Sequence, residues 1–339
     1  MFTRFVCFAL VALPAATRAA EPAAAKTPEL PVLPKAVTSF GAVACDGYLY
    51  VYGGHAGKTH NYDTATVLGT FHRLKLDGGI KWEELPGGPS AQGLNLVAHG
   101  GKVYRVGGMQ PRNKPGDPSD NHSLAECARF DPKTNKWEDL PALPAGRSSH
   151  DAVVAGNKLV VVGGWQMRGK GEKPAWSETV LILDLAAKDL KWESVPQPYQ
   201  RRALTATAVG SKVYVIGGLG AEGKPTDVYD VDAKAWSTVP ALPGDDKKSM
   251  AFSPSAATVG GRVVVNVAAG PVYRLNEAGD GWEKVGAAAT PRVVARMIPL
   301  GPSTVALVGG TAPGAGTLAT IEVVKLAEKG EPAAPAKQP

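Results

Sequence analysis

A pair of glycines returns along this chain at Gly53-Gly54, Gly107-Gly108, Gly163-Gly164, Gly217-Gly218 and Gly309-Gly310, each closing a β-type run such as Val213-Tyr214-Val215-Ile216. Six residues before each pair sits the second half of a tight-turn signal: Asp46-Gly47, Gly100-Gly101, Gly156-Asn157, Gly210-Ser211 and Pro302-Ser303. A sixth copy lies at Gly260-Gly261, where Val267-Ala268 replaces the glycine pair. The steps between copies are 54, 56, 54, 50 and 42 residues. Self-similarity at this period means one supersecondary unit stacked repeatedly, because a single unit cannot bury its own apolar face.

Each unit continues in the same order. A polar loop follows the glycines, then a short β run (Phe71-His72-Arg73-Leu74, Ala128-Arg129-Phe130-Asp131, Leu181-Ile182-Leu183-Asp184, Val228-Tyr229-Asp230-Val231, Val272-Tyr273-Arg274-Leu275), then Trp82, Trp137, Trp192, Trp236 or Trp282. Segments such as Phe130-Asp131-Pro132-Lys133-Thr134-Asn135-Lys136-Trp137-Glu138-Asp139-Leu140-Pro141 resemble the kelch repeat, and the resemblance covers about residues 27 to 326. Four short strands per unit fit one propeller blade. The chain is therefore expected to be all-β, a six-bladed kelch-type β-propeller.

The sixth repeat stops without its tryptophan strand, whereas Leu30-Pro31-Val32-Leu33-Pro34 at the other end matches Leu140-Pro141-Ala142-Leu143-Pro144 and Val239-Pro240-Ala241-Leu242-Pro243, which follow fourth strands. The N-terminal segment is expected to supply the outer strand of the last blade, covering an otherwise open edge. Upstream, residues 1–20 carry Arg4, an apolar run from Phe5 to Leu13, and small residues at Ala15, Ala16 and Ala19. This is the pattern of a secretory signal peptide. It predicts a secreted or periplasmic protein whose propeller occupies 21–326 and whose polar tail, 327–339, is disordered.

Composition excludes several classes. Removing residues 1–20 takes Arg4 and Arg18 with them and lowers the formal charge from +6 to +4, which is not the charge of a nucleic-acid binder. No later segment is long and apolar enough to span a membrane. Cys45 and Cys127 fall on strand positions and are expected as buried thiols.

If the strands of a blade alternate in direction, the loops joining second to third strands and those entering the next blade emerge on one face. The former are long: His55 to Thr70, Met109 to Ser123, Trp165 to Glu178 and Leu219 to Thr226. The opposite face carries only two-residue turns. In kelch proteins the loop-bearing face is the usual binding surface, and the resemblance implies the same here. Basic residues gather at the entries to inner strands, with Arg147, Arg201, Arg202 and Arg292 foremost and Arg296 just inside the last inner strand. Arginine forks suit carboxylates and sulfates, so these residues are expected to ring the axial opening. A nearly absent loop at 268–271 is expected to leave a gap in the wall beside them. His55 and His150 share that face, and Trp165 and Trp176 depart from the repeating tryptophan pattern, which makes them candidate anchors for a partner or a sugar.

No phosphate loop, Ser-His-Asp set or fixed metal spacing is present, so no metal or cofactor is expected. Copper-radical kelch oxidases need a crosslinked tyrosine-cysteine pair and a ligand set for which this chain shows no motif. The first expectation is a monomeric module binding a protein, peptide or glycan, anionic ones included. In size, signal peptide and blade count the chain is also similar to the sialic-acid mutarotases (N-acetylneuraminate epimerases). That resemblance implies acid-base groups and a carboxylate-binding arginine in the channel, roles open to Arg147, Arg202, Arg292 and His150.

Overall fold

The computed structural model describes residues 29–220, 225–244 and 251–328, so the expected signal peptide and most of the expected tail lie outside the described residues. Within them the chain is a ring of six antiparallel sheets built in chain order. Strands a to d of the first five blades begin with the inner strands Gly41–Cys45, Asn95–His99, Asp151–Ala155, Thr205–Val209 and Ser255–Val259. They end with the outer strands Glu83–Leu85, Lys136–Leu140, Trp192–Pro196, Ala235–Val239 and Trp282–Ala287. Blade six has three strands among the described residues, Arg296–Gly301, Thr304–Val308 and Ile321–Lys325. Inner strands of successive blades pack side by side, and the last packs on the first.

The recurring residues are the ones that join blades. Both glycines of every pair have positive φ, which favours a residue without Cβ. The N–H of the second glycine donates to the next blade: Gly54 to Ala91 O at 2.8 Å, Gly108 to Arg147 O at 2.9 Å, Gly164 to Arg201 O at 2.8 Å and Gly218 to Ala251 O at 2.7 Å. Gly310 donates to Val37 O at 3.2 Å and so closes the ring. The tryptophans point the other way round it. Their indole N–H groups donate to carbonyls at or just past the end of the preceding blade's outer strand: Trp137 to Pro86 at 2.7 Å, Trp192 to Pro141 at 2.8 Å, Trp236 to Pro196 at 3.1 Å and Trp282 to Pro240 at 2.9 Å.

Trp82 makes the same bond to Val32 O at 2.8 Å, which puts the N-terminal segment where the end of a sixth outer strand belongs. Leu33 confirms the register: it is buried, and its N–H donates to Ala319 O at 2.8 Å as Leu143 N–H does to Ala125 O in blade two. The expected outer strand, about residues 27–34, begins outside the described residues, and its described part, 29–34, forms no strand. At the other terminus Leu326 is buried and Ala327 N–H donates to Val285 O at 2.8 Å, so ordered structure runs slightly past the expected boundary at 326. Cys45 and Cys127 are free and buried, and burial pushes their thiols up to about 11 and about 12.

Candidate axial binding site

The segment entering each inner strand has the same five-residue form in all blades, and its register builds the site. Its third residue is Ser39, Gly93, Ser149, Ala203, Ser253 or Val294, each with φ between 44° and 59°. Every one of these donates its N–H to the carbonyl of the equivalent residue one blade earlier: Gly93 to Ser39 at 2.6 Å, Ser149 to Gly93 at 2.9 Å, Ala203 to Ser149 at 2.8 Å, Ser253 to Ala203 at 2.9 Å, Val294 to Ser253 at 3.3 Å and Ser39 to Val294 at 3.4 Å. The result is a closed backbone ring around the propeller axis.

Above the ring, on the loop-bearing face, is a bowl of about 330 Å³. The second residue of each entry segment lines it: Thr38, Gln92, Ser148, Arg202, Phe252 and Val293. In four blades this residue forms a short bridge to a second bowl residue just after the glycine pair, namely His55, Met109, Trp165 and Thr311. In blade four Arg202 bridges to Leu219 in the same way. Blade five turns straight from Asn266 to Pro271, so Phe252 is the only bowl residue it contributes among those described.

Arg202 is the bowl's cation. Its guanidinium carbon sits 3.9 Å from the Trp165 ring centroid and 5.9 Å from that of Trp176, which pairs with Trp165 across a short hairpin. Among the described residues it has no ion pair, and its buried Nε has no hydrogen-bond partner. Desolvation lowers its pKa, opposed by the nearby Tyr62 hydroxyl, and it stays charged at neutral pH. His55 is buried edge-on against Tyr62 and its Nε2 lies 2.9 Å from Asn61 O, so that nitrogen is engaged within the wall.

The other arginines are not at the rim. Arg147, Arg201 and Arg292 occupy the first position of the entry segment, where the side chain turns into its own blade and is buried. Arg147 donates to Thr179 O at 2.8 Å and to its Oγ1 at 3.1 Å, and burial pushes its pKa down to about 10. Arg201 pairs with Asp227 and bonds Gly217 O at 3.3 Å. Arg292 pairs with Glu322 at 2.7 Å and bonds the carbonyls of Thr290, Leu307, Gly309 and Thr320. Their partners lie on or beside the second and third strands, so they pin the entry segment to its blade. Arg296 lies on the axis beneath the ring, paired to Asp151 at 2.9 Å across the propeller.

His150 is a wedge. It occupies the fourth position, where Phe40, Leu94 and Leu204 pack beneath the preceding blade's first glycine, and a Cβ on Gly107 would stand 3.1 Å from its Cε1. Neither ring nitrogen meets a partner at hydrogen-bonding geometry, and the carbonyls of Val106 and Arg147 compensate little. Desolvation, with Arg147 and Arg296 adding to it, pushes its pKa down to about 3.

A larger, more open groove of about 500 Å³ flanks blades two and three, but its His122 is held by Asp120 at 2.8 Å. Among the described residues no three His, Cys, Asp or Glu side chains converge. Gln92, Met109 and Phe252 line the bowl without having been candidates from sequence. Their signal is register: one residue after each glycine pair, and two residues before the left-handed residue's successor in each entry segment.

Six blades surround the axial bowl, joined at five of their six junctions by glycine and tryptophan bonds, and define a β-propeller. The family model described as the KLHDC2/KLHL20/DRC7 Kelch-repeats domain matches residues 93–293, and the chain belongs to this kelch-repeat family. Kelch-like protein terF of Aspergillus terreus is 24% identical over 254 residues, 71% of this chain and 53% of that protein. Kelch repeat and BTB domain-containing protein 12 of Homo sapiens is 25% identical over 211 residues, 57% of this chain and 32% of that protein. The chain thus spans about a third to a half of the curated relatives it matches. The solved structure of YjhT aligns with a TM-score of 0.70 at 15% identity, covering 88% of this chain and 99% of that one, a likeness of fold.

Proposed function

We propose that the chain is a secreted or periplasmic kelch propeller that acts as a monomeric binding module, taking an acidic group of a protein, peptide or glycan into its axial bowl. The observation that carries this reading is Arg202: a cation held over Trp165, in a concave site, without an acidic partner among the described residues. Keeping an unpaired guanidinium half-buried is unfavourable unless a ligand completes it. Apolar Phe252, Met109 and Val293 beside polar Thr38, Gln92 and Ser148 give the mixed lining typical of sites that fix a ligand's orientation. Kelch propellers are commonly protein-interaction modules, which favours a protein or peptide partner; the hydroxyl-bearing floor and exposed Trp176 favour a glycan.

Titration of hexaglutamate and trigalacturonate, with hexaglutamine and maltotriose as neutral controls, tests it through the fluorescence of Trp165 and Trp176. The acidic ligands should bind and the neutral ones should not. Arg202→Ala should weaken the hit by about 10- to 100-fold, the range for charge-assisted hydrogen bonds. Binding unchanged by that substitution would remove the bowl cation from the reading. Catalysed interconversion of sugar anomers, followed by NMR, would move the assignment to an enzyme.

A further inference from the structure

Beneath the bowl, on the axis, the backbone ring encloses a second cavity of about 60 Å³. It shares Ser39, Gly93, Ser149, Ala203 and Val294 with the bowl, so the two spaces meet at the ring. Serine and non-serine residues alternate around that ring: Ser39, Ser149 and Ser253 come from blades one, three and five. Their hydroxyls therefore stand about a third of a turn apart. None of the three has a hydrogen-bond partner among the described residues.

The three serines hold φ of 54°, 51° and 44°, in the left-handed region, while Gly93 holds 59° at the equivalent place. Glycine fits this backbone without the steric cost that a Cβ adds there. Ala203 and Val294 carry a Cβ on the same backbone, at φ 50° and 49°, so what sets Ser39, Ser149 and Ser253 apart is the hydroxyl that each brings to the cavity lining.

Below the hydroxyls lies Arg296. It donates to Phe40 O at 3.1 Å, Asp151 Oδ1 at 2.9 Å and Leu94 O at 2.9 Å, which leaves two of the five guanidinium N–H groups unassigned. The paired Asp151 carboxylate also accepts from Asn95, Ala206 N–H at 2.7 Å, Thr205 Oγ1 at 3.1 Å and Ala152 N–H at 3.1 Å, so its oxygens are engaged by these donors. The cavity's volume of about 60 Å³ limits it to a small end group and excludes a sugar ring.

Three hydroxyl donors with threefold disposition match the three terminal oxygens of a tetrahedral oxyanion, where a planar carboxylate offers two. We propose that the axial cavity is an oxyanion subsite that takes the sulfo or phospho end group of the ligand held in the bowl, through Ser39, Ser149, Ser253 and Arg296. This rests on the bowl being the ligand site and narrows its ligand to one with a tetrahedral anionic tip. Arg202 stays available to an adjoining acidic group.

Calorimetric titration of the mature chain with inorganic sulfate and with inorganic phosphate, against acetate and nitrate at matched ionic strength, tests the subsite. Saturable binding of a tetrahedral anion is expected, with the planar anions weaker; whichever of sulfate and phosphate binds more tightly identifies the end group. The combined variant Ser39→Gly, Ser149→Gly, Ser253→Gly should keep the ring, as Gly93 already does, and its folding is checked by circular dichroism. It should lose at least about tenfold in affinity for the anion. Arg202→Ala should leave inorganic anion binding in place while weakening hexaglutamate. No saturable heat in the folded wild type, or equal binding by the triple-glycine variant, would overturn the subsite, and a salting effect common to both proteins counts as that result. Loss of hexaglutamate binding in Arg202→Ala with no anion binding in wild type would leave the bowl standing and remove only the cavity.

Discussion

His150 should make this propeller acid-labile in a way that one substitution removes. The folded chain holds the imidazole neutral, with a pKa of about 3 against an ordinary 6.5, because it is buried without partners and faces Arg147 and Arg296. The unfolded chain takes up a proton below pH 6.5 while the folded one does not, so stability present above pH 6.5 is lost as pH falls, until the folded state also protonates near pH 3. Each pH unit inside that window costs about 1.4 kcal/mol, which makes the loss about 2 kcal/mol at pH 5 and about 3 kcal/mol at pH 4. For a domain of this size the pH 5 loss corresponds to a Tm lowered by about 4 °C. His150→Leu places at this junction the side chain that Leu94 and Leu204 already place at two others. The variant should match or exceed wild type at pH 8, since two unsatisfied nitrogens leave the core. Carboxylates such as Asp131 and Asp230 titrate alike in both proteins, so the difference between the two Tm curves isolates the histidine. Scanning calorimetry from pH 8 to pH 4 should show the variant's advantage widening steadily below pH 6.5. Parallel curves would refute the burial argument.

Two further outcomes test how the ring is held. Gly164→Ala should destabilise by about 2–5 kcal/mol in denaturant melts, because the new Cβ meets His150 Cβ and Ser148 O at 2.8 Å in a residue at φ 89°. Gly47→Ala, at φ 79° but with open space around it, should cost only about 1 kcal/mol; equal costs would mean that blade contact is not what the pairs provide. Deleting residues 21–35 should lower Tm by many degrees, since buried Leu33 and the Val32 acceptor of Trp82 go with it, whereas deleting 329–339 should change it little. Similar small shifts in the two truncations would discard the N-terminal closure.

What was legible in the sequence is what the backbone demands. Glycine pairs at positive φ and tryptophans that reach one blade back join successive blades, so they recur visibly at blade spacing, with Val267-Ala268 as the exception. Segment ends could also be matched: Leu30-Pro31-Val32-Leu33-Pro34 aligns with its internal copies because Leu33 and Leu143 make the same bond. The site was less legible because the repeat fixes its backbone and leaves its side chains free. Thr38, Gln92, Ser148, Arg202, Phe252 and Val293 occupy one position and share no chemistry.

The basic doublet at the entry to blade four shows where the reading lost resolution. Arg201 and Arg202 are neighbours in an extended segment, where successive side chains point to opposite sides. Arg201 is 1% exposed and tied to Asp227, while Arg202 stands in the bowl over Trp165. Charge alone could not separate them, and treating every entry arginine as rim placed Arg147 and Arg292 there as well. The separating signal is distance from the left-handed residue that follows: a side chain one residue before Ala203 faces the axis, and one two residues before it faces the blade. Applied to all six entries, that rule leaves Arg202 as the sole basic residue in the bowl-facing position, which is why a single substitution there can test the function of the whole face.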